Sequence, residues 1–184
     1  MENIDIINNH INLRYIKVSD TADIIKWRNS LDVKRNLYTQ DELTEEQHIG
    51  WFKNVVEIGA CSQFIIEHME NNGGWRSAGT VYIKNIDRQN RKGEFGIFIG
   101  EQKFRGKGLA SQATKLILAH AFEELQLNRV YLTVFHDNIP AIKAYESAGF
   151  EREGLLKQDF LRYDGFCDIL YMGITLDKWL TLNA

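Results

Sequence analysis

Three groups of residues in this chain combine reactive types with spacing that could support chemistry. The most ordered is Phe104-Arg105-Gly106-Lys107-Gly108-Leu109-Ala110-Ser111. Two glycines two apart let a backbone come close to a ligand. The apolar run Phe95-Gly96-Ile97-Phe98-Ile99 precedes them and reads as a strand, while Leu109, Ala113, Leu116, Ile117, Ala121 and Leu125 follow at helical spacing. The amides that open such a helix lack intrahelical partners, and the dipole there favours negative charge. Strand, glycine-rich turn and helix therefore make a phosphate cradle, with Arg105 and Lys107 adding positive charge at its lip. A Walker loop is excluded, because no Gly-Lys-Ser/Thr follows a glycine at the required distance. A dinucleotide fingerprint fails too, since Ser111 stands where its third glycine belongs.

The second group is Asn138 and Tyr145, seven residues apart and so on one face of a helix. The third is dispersed. Glu94 opens the strand that leads to the glycine turn, on the same strand face as Gly96 and Phe98, and His136 follows the strand after the helix. Trp27, Arg28 and His48 lie in the N-terminal third. Arg28 suits an anionic group and Trp27 or Trp51 a flat ring; equally, the tryptophans suit a core and Arg28 a helix C-terminus.

The elements that position these groups follow from periodicity. Residues 11–18 alternate as a first strand, and Ser19 or Asp20 can cap a helix with Ile24, Ile25 and Trp27 inside. Thr44-Glu45-Glu46-Gln47 is a capping box for a second helix, and the intervening stretch 30–43 has no clear period. Residues 61–68 and 75–84 read as strands joined by the hairpin turn Asn71-Asn72-Gly73-Gly74, and 92–99 gives another. A strand at 129–135, a short helix from Asn138 to a glycine stop at Gly149, and strands folded at Tyr163-Asp164-Gly165 complete the order, before an amphipathic turn at 176–182. Late strands separated by helices imply parallel pairing, so the sheet is expected to be mixed.

The totals set bounds. At 184 residues the chain is most simply one domain, 1–184, with 44% hydrophobic and 26% charged residues. A net charge of -3 argues against a general nucleic-acid binder, and no apolar run is long enough to span a bilayer. Met1-Glu2-Asn3-Ile4-Asp5 lacks the build of a signal peptide, and Cys61 and Cys167 read as buried thiols, which together suit the cytoplasm. No His/Cys/Asp/Glu cluster has metal-ligand spacing, so no metal is expected.

Taken together, Arg105-Gly-Lys-Gly108-Leu-Ala110 and Asn138-x-Pro-Ala141-x-x-x-Tyr145-x-x-x-Gly149-Phe150 resemble the GNAT acetyltransferases, over essentially the whole chain. Tyr163-Asp-Gly-Phe-x-Asp168 with Met172 resembles the branch acting on ribosomal-protein termini and other small amines. Trp27-Arg28-Asn29 with Glu46-Gln-His48-x-x-Trp51 looks closest to enzymes acting on UDP-linked amino sugars.

The resemblance implies an α/β fold with a mostly antiparallel mixed sheet, one splayed parallel pair and about four helices. It implies acetyl-CoA as acetyl donor and a small-molecule amine as acceptor, with no nucleic acid or membrane partner; a homodimer is compatible with it. The amides of Arg105, Gly106, Lys107, Gly108, Leu109, Ala110 and Ser111 would take the pyrophosphate, and the backbone of Phe98 and Ile99 would pair with the pantetheine arm. Asn138, Ala141 and Tyr145 would complete the cofactor site. Tyr145 matches the family's general acid, a phenol near enough in pKa to a thiol to protonate it. Glu94 matches a base used by several members; His136, or an amine arriving neutral, are the other options. Trp27, Arg28 and His48 would meet the substrate. Most readily the acceptor is a nucleotide-linked amino sugar, with a protein N-terminus or a polyamine next. A CoA-binding sensor without catalysis would need the loop but not the phenol.

Overall fold

The computed structural model describes residues 6–8 and 10–184; the segment read for a signal peptide lies outside them. Among the described residues the strands are β1 (Ile6–Asn8), β2 (Ile11–Tyr15), β3 (Ser62–Met69), β4 (Trp75–Asp87), β5 (Lys92–Ile99), β6 (Arg129–Phe135), β7 (Glu151–Arg162) and β8 (Gly165–Thr175). They form one sheet in the order β1-β2-β3-β4-β5-β6-β8-β7. Every neighbouring pair is antiparallel except β5 with β6. That parallel pair holds for three positions, Lys92↔Arg129, Gly93↔Val130 and Glu94↔Tyr131. Beyond Glu94 the strands part. Phe95 to Ile99 keep β4 on one side and have no strand on the other.

Six α-helical segments decorate the sheet: α1 (Thr21–Asn29), α2 (Leu31–Lys34), α3 (Glu45–Trp51), α4 (Leu109–Ala119), α5 (Ile139–Ser147) and α6 (Leu176–Leu182). The segment beyond expectation is α2, a single turn within the stretch that shows no period. Ser30 stops α1 with an extended backbone, and its carbonyl then accepts from the amides of Val33 and Lys34, which starts the new turn. Helices α3 and α4 each run on into a π-helical turn, Phe52–Val56 and His120–Glu124.

Period-two alternation sorts the core into two layers. Phe64 and Ile66 join Val81, Phe95, Ala113, Ile117, Leu132 and Tyr145 beneath α4 and α5, whereas Ile65 joins Ile16, Ile24, Trp27 and Phe52 beneath α1 and α3. Each large aliphatic or aromatic side chain so buried stabilises the fold by roughly 1.5–3 kcal/mol.

The capping box is present, with Thr44 Oγ1 accepting from the Gln47 amide and Gln47 Oε1 from the Thr44 amide. Asp20 does precede α1, but its carboxylate turns back to the Lys17 amide and the Arg14 guanidinium instead of capping the helix. Gly149 ends α5 at φ 102°, a backbone that other residues rarely adopt. Cys61 is buried, Cys167 half-buried, and both are free thiols. No described helix is long and apolar enough to cross a membrane.

Candidate active site

The gap between β5 and β6 opens into a cavity of about 1360 Å³ that reaches both faces of the sheet. On the α4/α5 side it is lined by the glycine turn, Asn138, Ala141, Ala144 and Tyr145; on the other side by α1, the 33–43 segment, and residues of β4 and β5 including Tyr82, Lys84 and Glu94.

The glycine turn is built as a cradle. Gly106 and Gly108 have φ of 71° and 76°, and Gly108 directly precedes α4. A Cβ at Gly106 would meet nothing within 4 Å, and one at Gly108 only the end of the Gln112 side chain at 3.8 Å. Open space, not crowding, lies over this turn. The first backbone bond of α4 runs from the Gln112 amide to the Gly108 carbonyl, and no described acceptor takes the amides from Gly106 to Ser111. Free donors at a helix start, facing a cavity, fit the pyrophosphate of CoA.

Two charges expected at the lip do other work. The Arg105 guanidinium donates to the carbonyls of Ile99 (3.0 Å) and Gly100 (3.1 Å) and to Asp32 (2.8 Å). These three bonds use one N–H on each guanidinium nitrogen and tie the turn to the end of β5, with one N–H on each Nη left over. Lys107 is exposed and lines a separate small pocket with His10 and His68. Leu109 is buried in the core but also lines the cavity, as do Ala110 and Ser111. Ser111 Oγ and Ser147 Oγ lie 2.6 Å apart and join α4 to α5.

On α5, Asn138 Oδ1 accepts from the Ala141 amide at 3.4 Å, so this asparagine caps the helix as well as lining the cavity. Tyr145 is 8% exposed, its ring edge-on to Phe95 with centroids 5.6 Å apart. No described residue bonds its hydroxyl, and burial holds the phenol well above the ordinary tyrosine value. It is therefore protonated throughout the range of use.

Glu94 lines the cavity from the sheet's other face. One carboxylate oxygen pairs with Lys84 Nζ at 3.0 Å and the other accepts from Asn85 Nδ2 at 2.8 Å. Asn85 reaches it through a break in the β4/β5 register and a backbone at φ 51°. Tyr82 lies so close over Gly96 that a Cβ there would fall 2.3 Å from its ring. His136, the rival to Glu94, is exposed and outside the cavity lining.

The three N-terminal residues separate. Trp27 is 2% exposed, packs where a Cβ on Gly100 would clash with its indole, and donates Nε1–H to Glu101 at 2.9 Å. It is a core residue outside the cavity, which corrects the substrate role expected of it. Arg28 is half-buried, lines the cavity, and has no carboxylate within ion-pair distance among the described residues. His48 is buried and lines the cavity, 5.5 Å from the Trp51 ring between centroids. Sequence reasoning missed Asp32, Arg35, Tyr82, Lys84 and Asn85. Only the facing register of Lys84 with Glu94 and Tyr82 with Gly96 brings the last group to the site, and that register is invisible before the hairpin is paired.

A splayed parallel pair, a free-amide turn and a buried phenol in one cavity define an acetyl-CoA-dependent N-acetyltransferase. Residues 10–151 match the Acetyltransferase (GNAT) domain, and the chain belongs to that family. A relative from Bacillus subtilis, YdaF, carries a ribosomal N-acetyltransferase name and is 32% identical across 94% of this chain and 95% of its own. The spermidine N(1)-acetyltransferase of Vibrio cholerae is 25% identical across 95% of this chain and 98% of its own. A solved spermidine N-acetyltransferase from Vibrio cholerae, in complex with CoA and spermine, superposes with a TM-score of 0.85 at 25% identity, over 94% of this chain and 99% of that one.

Proposed function

We propose that the acceptor is a small primary amine attached to an anionic group, with a nucleotide-linked amino sugar as its most concrete form. The observation that carries this reading is the charge of the cavity. Among the described residues its basic lining is Arg28, Arg35, Lys84, Arg105 and Lys143, and its acidic lining Asp32 and Glu94. Both acids are already paired, Asp32 with Arg105 and Glu94 with Lys84. A chain of net charge -3 thus lines its cavity with excess positive charge. CoA accounts for the part on α5, near Lys143. Arg28 and Arg35 lie on the acceptor side, where they attract an anion and repel a polycation. Trp51, half-buried in the same wall, offers a face for a flat ring.

When bound, acetyl-CoA supplies an activated acetyl group whose carbonyl carbon is taken by the amine as the carbon–sulfur bond breaks. Glu94 is the group we assign to remove the amine proton. Each carboxylate oxygen has two acceptor sites, so its bonds to Lys84 and Asn85 leave one on each for the amine or a bridging water. Tyr145 is assigned as donor of the proton that the departing sulfur needs; the proton taken by Glu94 passes to solvent and one from solvent returns to the phenolate, so both groups end as they began. Burial raises the phenol, and desolvation in the same cavity acts on a thiol in the same direction.

Polyamine acetylation is the second reading, favoured by the similarity to spermidine acetyltransferases. Thiol release from acetyl-CoA across UDP-linked amino sugars, spermidine and short peptides separates the two. Turnover at least tenfold more efficient on the UDP-linked amine is the expected result; preferential turnover of spermidine overturns the anionic-acceptor reading and leaves the reaction class in place.

A further inference from the structure

Lys84 and Asn85 are consecutive in β4, yet both bond the carboxylate of Glu94. Lys84 Nζ lies 3.0 Å from Oε1, and Asn85 Nδ2 donates to Oε2 at 2.8 Å. A regular strand does not allow this, because its successive side chains point to opposite faces. Lys84 stands directly opposite Glu94 in the β4/β5 register, so those two share a face. Asn85 would then point away. It does not, because the next paired position is Asp87↔Lys92: β4 uses two residues, Asn85 and Ile86, where β5 uses one, Gly93. An extra residue of this kind is a β-bulge, and the left-handed backbone of Asn85, φ 51°, turns its side chain back onto the Glu94 face.

Folding alone gains little from the bulge. Among the described residues four other than glycine have a left-handed backbone, Asn85, Arg91, Gln126 and Gln158, and only Asn85 lines the cavity. Asparagine tolerates that backbone better than most residues, though not as well as an extended one. In return Asn85 makes one exposed hydrogen bond, which water could replace with little change in stability. The benefit lies at Glu94, whose side chain is 18% exposed and lines the cavity. Neither an ammonium nor an amide nitrogen has a lone pair to offer. Lys84 and Asn85 therefore hold the carboxylate through one lone pair on each oxygen, and a proton taken from an amine must enter at a remaining one.

We propose that Asn85 is a positioning residue for the reaction: the bulge in β4 aims its amide at Glu94 Oε2, and with Lys84 on Oε1 it fixes the direction in which the free lone pairs of Glu94 meet the amine. The last torsion of a glutamate is soft, so a carboxylate held at one oxygen by a flexible lysine can still turn. One held at both oxygens cannot. The assignment rests on Glu94 as the group that removes the amine proton, and adds the residue that orients it.

A first measurement needs no substrate. In nitrogen–proton correlation NMR of the full-length protein without ligand, an Asn85 side-chain amide proton bonded to a carboxylate should lie downfield and move upfield in Glu94→Ala. An Asn85 amide signal indifferent to Glu94→Ala overturns the inference whatever the amine proves to be. Kinetics then use whichever of a UDP-linked amino sugar, spermidine and a short peptide is turned over fastest. Asn85→Gly keeps the left-handed backbone and removes only the amide. It should lower kcat about tenfold with the KM for acetyl-CoA unchanged, and have no further effect in a Glu94→Gln background, which a merely structural role would not produce. An unchanged kcat in Asn85→Gly, or the same fold-loss in both backgrounds, overturns the positioning role and leaves Glu94 as the base. If Glu94→Gln itself keeps the wild-type kcat, the base assignment fails and the positioning role with it. Should Asn85→Gly prove unstable, Asn85→Asp, of the same shape, replaces it: a second carboxylate against Oε2 should lower kcat at least about tenfold, and no loss counts against the proposal.

Discussion

The two walls of the cavity are made in different ways. The donor wall is largely backbone: free amides at the start of α4, an unpaired strand edge along β5, and one phenol from α5. The wall proposed for the acceptor is side chains from distant places: Arg28 on α1, His48 on α3, Lys84 and Asn85 on β4 and Glu94 on β5. Backbone recognition tolerates changes of side chain but not of conformation, so its glycines are the fragile part. Side-chain recognition can be rewritten residue by residue while the fold stays the same.

The largest effect should come from filling the donor wall. Gly108→Trp places an indole over the free amides and forces a bulky residue to φ 76°. Acetyl-CoA affinity by calorimetry should fall at least roughly 100-fold, with the far-ultraviolet circular dichroism retained; undiminished binding would put the cradle elsewhere. Next comes the phenol. Tyr145→Phe should lower kcat by at least about tenfold with acetyl-CoA affinity unchanged, and an unaltered kcat would remove Tyr145 from the chemistry. On the acceptor wall, Arg28→Glu should raise the KM for a UDP-linked amine about tenfold and lower that for spermidine. If both shift alike, Arg28 contributes structure and not charge selection, and the contrast between walls weakens.

The smallest effect concerns stability. Burial lowers the pKa of both His48 and His120 below the unfolded value near 6.5. Below that value the unfolded chain binds more protons than the folded one, so stability is full above pH 6.5 and falls as pH drops through the depressed folded values. The melting temperature should therefore decrease on acidification from pH 7 to 5, and His120→Gln should flatten part of that slope. A melting temperature flat across this window would contradict neutral burial of the two rings.

The donor wall was nearly all legible in the sequence because its signals are local. Strand β5 and strand β6 have the expected bounds, the glycine turn and the Asn138 cap sit where spacing puts them, and Gly149 stops α5. What periodicity could not supply was the fate of Arg105, whose three bonds to Ile99, Gly100 and Asp32 depend on how the turn folds back. The acceptor wall was half legible. Arg28 and His48 were singled out by type, but Trp27 shares that short motif and turns inward against Gly100, because helical spacing alone cannot say which of two neighbours meets the sheet. Lys84 and Asn85 carry no motif; a register break in β4 delivers them.

The three-residue seam between β5 and β6 has a mechanical consequence. Five strands lie on one side of it and three on the other, so the sheet resembles a zip left partly undone. A ligand threaded through the open part would supply contacts to both halves that the chain itself does not make. It should act as a removable strut, slowing hydrogen exchange most in the last residues of β5 and raising the melting temperature with the logarithm of donor concentration. Stability values for this protein are then meaningful only at a stated acetyl-CoA concentration, and a cell's supply of the donor becomes part of what keeps the sheet closed.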